Sequence, residues 1–417
     1  MATETTNDEE YDRAKAVKQF DESKIGVKGL VDSGITTIPR FFVHSPEVLA
    51  QLKPAPVTRP DLIPTIDLSG VDSPRRSLIV DQIRRASSSF GFFQIINHGV
   101  PLGVLDRTMA SIKGFHEQAT EIKARFYCRG IGPIGSGVSF MSNVDLYNSK
   151  AASWRNSVHN DQKSTMVGDV WEETGRVAIG DSDSQWAVGD SGQVEGGSDY
   201  IEESKASWDT LQIRLGPKIA DYDQIPEICR DEVIEWDEEI KRLGEVLTEL
   251  MCEGLGVGTR RLKEMTCLEG KVMVGHYYPN CPQPDLTVGL AYHTDPGVLT
   301  VVQQDHVGGL QVKYDGEWVD VKPVPGALVI NVGDLLQIIS NEEYKSAEHR
   351  VLANPFDEPR VSIAVFFNPG NRDDLYGPLP ELISSEKPSI YRKFTLTDFM
   401  TRFFKKELDG QIFNKLL

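Results

Sequence analysis

His293 and Asp295 stand one residue apart in AYHTDPG, and His349 follows 56 residues after His293 in AEHRVL. On an extended strand, positions i and i+2 project from one face, so a histidine and a carboxylate at this spacing reach toward a common point. Two imidazoles and one carboxylate make a facial set of three donors. The remaining positions on a bound metal stay open, which suits non-haem iron(II). An open face is needed where a bidentate co-substrate and O2 must bind together. Alone, His-x-Asp is a weak signal that arises by chance beside turns. A second histidine at the start of another strand-like run strengthens it modestly.

Arg360 and Ser362 lie 11 and 13 residues beyond His349, in RVSIAVFF, and again share a face if the run is a strand. An arginine pointing into a barrel must meet an anion, because an unpaired buried charge is prohibitive. Its guanidinium pairs with a carboxylate in bidentate fashion, and a serine hydroxyl can add a third hydrogen bond. The pair therefore reads as an anchor for a dicarboxylate, against the plainer alternative of a surface salt bridge. Tyr278, 15 residues before His293 in GHYYPNCPQP, offers a phenol to the same anion, or a core ring.

The elements that would hold these groups are short and β-rich. Between 271 and 368 the runs KVMVGHYY, VLTVVQQ, GLQVKY, EWVDV, ALVINV, HRVLA and RVSIAVFF are separated by Pro, Gly, Asn and Asp, the pattern of a sandwich or barrel. Upstream, residues 1–24 read as a charged helix, IPRFF (38–42) as an extended apolar segment and IPTIDLSG (63–70) as a strand. A helix is expected from Ser73 or Pro74 to about Phe90, then a β-rich run FGFFQIINHGVP (90–101) and an amphipathic helix over 102–125. Further helices are expected at 225–256, ended by glycine, and at 396–407.

One stretch lacks any period. Residues 156–208 hold eleven Asp/Glu against three Lys/Arg, with seven glycines in 53 residues. They are framed by a near-repeat, SKAASW at 149–154 and SKASW at 204–208. We read them as an acidic, flexible insertion. The expected organisation is thus 1–155, an N-terminal helical and β region; 156–208, the insertion; and 209–417, a helix plus the β-rich core.

The net charge of -18 disfavours nucleic acid and anionic membranes as partners. Five scattered cysteines with no CxxC pair point to a reducing compartment. The N-terminus lacks the apolar core of a secretory signal, and no run approaches the length of a membrane span. The expectation is a cytoplasmic monomer acting on a small molecule.

With these motifs in place, the chain resembles the plant 2-oxoglutarate/Fe(II)-dependent dioxygenase superfamily. The nearest resemblance is to the branch of aminocyclopropanecarboxylate-oxidase homologues and deacetoxyvindoline 4-hydroxylase-like enzymes. The likeness rests on IPTIDLSG, FGFFQIINHGVP, YYPNCPQP, GLAYHTDPGVLTVVQQD, PGALVINVGDLLQIISN, YKSAEHRVLAN and PRVSIAVFF, and covers nearly all the chain outside 156–208. It implies a double-stranded β-helix (jelly-roll) core, mainly β with α, with a helical N-terminal region and a C-terminal helix. It implies iron on His293, Asp295 and His349, the distal 2-oxoglutarate carboxylate on Arg360 and Ser362, a co-substrate contact from Tyr278, and a substrate contact from Phe366. No protein catalytic group beyond the metal site is required. O2 is the oxidant and ascorbate the reductant.

The implied reaction hydroxylates, demethylates or desaturates a small specialised plant metabolite, releasing succinate and CO2. The family's usual Asn-Tyr-Tyr-Pro is His-Tyr-Tyr-Pro here, with His276 in the first place. Three alternatives are carried. An ascorbate-dependent aminocyclopropanecarboxylate oxidase would show HTDAGG where this chain has HTDPGVLT. A jelly-roll metal-binding protein would be impaired by the insertion. A zinc hydrolase would need a glutamate or second-metal pattern that does not accompany the triad.

Overall fold

The computed structural model describes residues 11–51, 62–127, 137–141, 151–153, 210–218 and 220–404. The acidic stretch 156–208 lies outside them.

Fourteen strands follow one another among these residues: β1 (Thr65–Asp67), β2 (Phe92–Ile96), β3 (Val138–Met141), β4 (Thr210–Gly216), β5 (Gly270–Tyr278), β6 (Leu290–His293), β7 (Leu299–Gln304), β8 (Leu310–Tyr314), β9 (Glu317–Asp320), β10 (Leu328–Val332), β11 (His349–Val351), β12 (Arg360–Asn368), β13 (Leu375–Tyr376) and β14 (Phe394–Thr395). Eight form one sheet in the order β1-β2-β10-β7-β12-β5-β4-β3, four form a second in the order β6-β11-β8-β9, and β13 pairs with β14. The large sheet takes strands from both sides of 156–208, since β3 pairs antiparallel with β4.

The alternation in RVSIAVFF decides how the layers stack. Val361, Ile363, Val365 and Phe367 join the core that contains Trp236, Leu243 and Leu247 of the long helix Arg230–Leu255. That helix rests directly on β12, because a Cβ added to Gly244 would lie 3.0 Å from the Phe367 ring. It ends at Gly256, whose φ of +73° is the left-handed conformation glycine adopts without a Cβ penalty. The opposite face of the large sheet meets the small one. Phe92, Tyr278 and Val329 pack there with Leu290, Leu310, Val312 and Val351. Two sheets closed over one interior make the expected jelly roll, with helices covering its large sheet.

Two local expectations change. IPRFF is not extended: Arg40–Phe42 is a 3-10 turn that buries Phe41 and Phe42 against Phe20 of the helix Arg13–Ser23. Burying an aromatic ring of this size contributes roughly 1.5–3 kcal/mol, enough to bend a short segment onto its neighbours. The helix predicted over 102–125 is two, Leu102–Glu117 and Thr120–Lys123. Lys123 folds back and its Nζ donates to the His116 carbonyl at 2.9 Å, satisfying an end carbonyl of the first helix.

His116 sits fully buried under β5. Its Nε2–H donates to the Gly275 carbonyl at 3.1 Å, and its ring stacks on Tyr277 at 5.4 Å. Burial, helped by Lys123, pushes its pKa down to about 3. The folded value lies below the ordinary 6.5, so this site favours folding above pH 6.5 and loses stability as pH falls through that value. At pH 5 the loss is about 2 kcal/mol. His116→Gln keeps a donor and does not titrate. Chemical denaturation at pH 7.5 and pH 5 should show its stability falling less than that of the unaltered chain by about that amount; equal slopes would remove His116 as the cause.

Candidate active site

His349 and His293 are direct cross-strand partners in the β6–β11 pair, so register alone sets the two imidazoles side by side. Their ring centroids are 4.2 Å apart. Each ring is fixed by its own backbone. His293 Nδ1 lies 2.9 Å from the Ala291 carbonyl and His349 Nδ1 lies 3.1 Å from the Ala347 carbonyl. A carbonyl only accepts, so both Nδ1 atoms carry the proton and both Nε2 lone pairs are left for a ligand.

Asp295 completes the group, though not on the strand. β6 ends at His293, and Asp295 stands in the loop beyond it. Its place comes from long-range contacts: its carbonyl accepts the Asp334 N–H at 2.7 Å, and a Cβ on Gly333 would collide with the Gly297 carbonyl at 2.1 Å. The loop is therefore pressed onto the turn after β10. Asp334 itself is buried and accepts from Thr294, and burial raises its pKa to about 7.

The two oxygens of Asp295 have different surroundings. Oδ2 accepts from Thr300 Oγ1 at 2.6 Å and from Asn331 Nδ2. Oδ1 lies 3.6 Å from His293 Nε2 and 3.6 Å from His349 Nε2. That is too long for a hydrogen bond but less than twice a metal–ligand bond of about 2.1 Å, so one ion can touch all three donors. These residues are the one group of metal-ligating side chains close enough to share an ion among those described.

Thr300 and Asn331 carry no chemical signal of their own in the sequence, yet they are cross-strand partners on β7 and β10. The trace they leave in the sequence is a polar residue at an inward position of an otherwise apolar strand, as in VINV.

Register extends this line across the large sheet. Phe92, Asn331, Thr300, Phe366, Val272 and Arg214 are successive partners on β2, β10, β7, β12, β5 and β4. Phe92 touches the His349 ring at 5.1 Å. The first three of this row are buried, while Phe366, Val272 and Arg214 are half-buried, so the row runs from the metal donors toward an opening. Phe366, to which the resemblance assigns a substrate contact, is the ladder partner of Thr300 and lies on the face of β12 turned away from the helices.

Arg360, 2% exposed, occupies the other end of β12 on the same face. Its guanidinium donates to Ser362 Oγ at 3.1 Å and Gln304 Oε1 at 3.3 Å, and lies 4.9 Å from the centre of the Tyr278 ring. Tyr278 is its direct strand partner, and His276 that of Ser362. Nε of Arg360 is buried without a hydrogen-bond partner among the described residues. Arg360, Ser362 and Tyr278 are therefore together. Tyr278 meets Arg360 with its ring face as well as standing opposite it in the ladder. Behind Arg360 a cavity of about 850 Å³ is lined by Gly308, Gly309, Val321, Leu352 and Asn354 and includes none of the metal donors.

Residues 269–369 match the family described as the 2OG-Fe(II) oxygenase superfamily, and residues 63–171 match the non-haem dioxygenase in morphine synthesis N-terminal family. The chain is 42% identical over 404 residues to 1-aminocyclopropane-1-carboxylate oxidase homolog 4 of Arabidopsis thaliana, covering 96% of this chain and 97% of the relative. It is 38% identical over 408 residues to deacetoxyvindoline 4-hydroxylase of Catharanthus roseus, covering 96% and 88%. The crystal structure of JOX2 in complex with 2OG, Fe and JA superposes with a TM-score of 0.67 at 27% identity, covering 90% of this chain and 92% of that one.

Proposed function

The chain belongs to the 2-oxoglutarate/Fe(II)-dependent oxygenase superfamily, and from that premise we propose that His293, Asp295 and His349 bind the iron, that Arg360, Ser362 and Tyr278 hold 2-oxoglutarate, and that the product is an oxidised specialised plant metabolite. It is a dioxygenase and therefore an oxidoreductase, using Fe(II) and 2-oxoglutarate. The observation that carries the site assignment is Asp295 Oδ1 placed 3.6 Å from each of two imidazole nitrogens whose other nitrogens are already engaged.

The donor set fits Fe(II): two neutral imidazoles and one carboxylate on one side, with room opposite. With iron held there, O2 would be the oxidant and 2-oxoglutarate the two-electron donor, leaving as succinate and CO2. The chain's own residues do the rest. Thr300 and Asn331 hold Asp295 Oδ2, which keeps Oδ1 as the donor and leaves other metal positions for co-substrate. Arg360 offers a buried cation with Ser362 beside it, the arrangement a distal carboxylate needs. The buried row beside the metal excludes water from the reacting groups. HTDPGVLT, where the ascorbate-only alternative would carry HTDAGG, favours 2-oxoglutarate over that alternative.

Thr300→Val should weaken Fe(II) binding by roughly 10- to 100-fold, the usual cost of losing an outer partner of a metal ligand, while Thr300→Ser retains most of it. Equal affinities for the two variants in an anaerobic titration would remove the hydroxyl from the site.

The enzyme is further proposed to act as a cytoplasmic monomer on a small molecule; no helix among the described residues is long and apolar enough to cross a membrane. The direct test is a plant-metabolite screen with Fe(II), ascorbate and 2-oxoglutarate, read as succinate release with hydroxylated, demethylated or desaturated products. It should be run with and without residues 156–208. Succinate formation only without that stretch would favour the impaired alternative for the full chain; none from either form would sink the proposed activity.

A further inference from the structure

The row that leaves the metal donors ends at an arginine whose Nε is buried without a hydrogen-bond partner among the described residues. Arg214 is on β4, the neighbour of β5, and its partner in the ladder is Val272, itself the partner of Phe366. Leu211, Ile213 and Leu215 belong to the helix-side core, so Gln212 and Arg214 point the other way, into the interior that holds the triad. Both are unsatisfied. Among the described residues, Arg214 Nε and Gln212 Oε1 are buried without a hydrogen-bond partner, and no carboxylate pairs with Arg214. Buried polar atoms are nearly always satisfied, and two orphans two residues apart on one face of one strand mark a place where something else binds. A guanidinium selects an anion, by preference a planar carboxylate that its fork can grip.

The surroundings define the rest of the ligand. Between Arg214 and the metal row the floor is Val272 and Phe366, and the adjacent row brings Val274 and Ala364 next to Gln212. That floor is apolar and half-open. Three strand spacings separate Thr300, which touches Asp295, from Arg214, about 14 Å between backbones.

We propose that Arg214, assisted by Gln212, is the recognition edge for the carboxylate of the substrate, and that the substrate is an acid with an apolar body whose oxidised carbon lies several atoms from the carboxyl. The assignment rests on the site proposed above, because the metal marks where oxidation occurs. Arg214 is distinct from the co-substrate anchor, since Arg360 lies at the other end of the interior on β12. The Gln212 amide can present either oxygen or N–H by rotating, which lets it follow an acid or an amide-like carbonyl. An Arg214 merely solvated at the mouth would show no preference between an acid and its ester.

The test uses the full chain with Fe(II) and 2-oxoglutarate under anaerobic conditions, so that binding is read without turnover. The probes are phenylalkanoates of increasing chain length, each paired with its methyl ester, followed by calorimetry. The best-fitting acid should bind roughly 10-fold or more tighter than its ester. Arg214→Met should bring the two together, and Arg214→Lys should keep part of the difference, since it retains charge without the fork. Equal binding of acids and esters to the unaltered chain, survival of the preference in Arg214→Met, or no acid binding at any length would overturn the proposal. The same samples report Fe(II) and 2-oxoglutarate affinity. Loss of those in the unaltered chain would sink the site assignment itself, whereas their presence without acid preference sinks only the role of Arg214.

Discussion

Asp295→Ala is expected to leave a folded chain that binds Fe(II) at least ~100-fold more weakly and releases no measurable succinate. The lower bound follows because removing a direct ligand exceeds the roughly 10- to 100-fold that loss of an outer partner costs. Asp295 supplies the only negative charge among the three donors, and its carboxylate is 2% exposed. In the metal-free protein that carboxylate is held by two neutral donors, Thr300 and Asn331, and no Lys or Arg among the described residues pairs with it. Desolvation of an anion so placed is costly, so truncating it does not destabilise the metal-free fold in proportion to its burial. The expected signature is therefore a difference in response. Fe(II) raises the melting temperature of the unaltered chain by mass action and leaves that of Asp295→Ala unchanged. A variant stabilised by Fe(II) as strongly as its parent would place the iron elsewhere.

The triad was legible for one reason that held and another that did not. The histidines announced themselves by residue type, and β6 and β11 form as the alternation implied. The i, i+2 argument for Asp295 assumed a strand that stops at His293. Asp295 arrives instead through a loop held by Gly297, Gly333 and the Asp334 N–H, contacts with partners some forty residues away that no local pattern encodes. On β12, by contrast, the period-2 reading carried through: Arg360, Ser362 and Phe366 share the inward face while Val361, Ile363 and Val365 face the helices. Thr300, Asn331, Gln212 and Arg214 give no local signal, because a polar side chain in a short strand is ordinary. Their meaning appears only when register lines up Asn331, Thr300 and Arg214 in one row and sets Gln212 in the next. TLQIRLG does alternate, but nothing local says which face of β4 lines the interior. Turns decided by packing, such as Arg40–Phe42, stayed hidden because Phe20, which they bury against, is distant in local pattern though near in sequence.

The second large effect concerns the anchor. Arg360→Met is expected to raise the KM for 2-oxoglutarate by at least ~30-fold with Fe(II) affinity retained, because losing one partner of a buried, hydrogen-bonded charge pair costs roughly 2–5 kcal/mol. The size of the effect follows from how little else in the pocket can substitute. Ser362 Oγ and Gln304 Oε1 orient the guanidinium but carry no charge, and the Tyr278 ring face offers only a cation–π contact to the arginine itself. Asp305 shares the neighbourhood, its carboxyl raised in pKa by burial despite the Val361 N–H and the Arg360 charge. With Arg360 gone, a 2-oxoglutarate carboxylate would meet that acid with no cation between them, so the loss is greater than a missing hydrogen bond. Arg360→Lys keeps the charge without the fork, and its KM should fall between the two. Ser362→Ala should cost less than either, near the 0.5–1.5 kcal/mol of a single hydrogen bond, roughly 2- to 13-fold in KM. Initial rates against 2-oxoglutarate concentration, at saturating Fe(II), order the series. A KM unchanged in Arg360→Met would move the dicarboxylate to another cation, and Arg214 would be the first to examine.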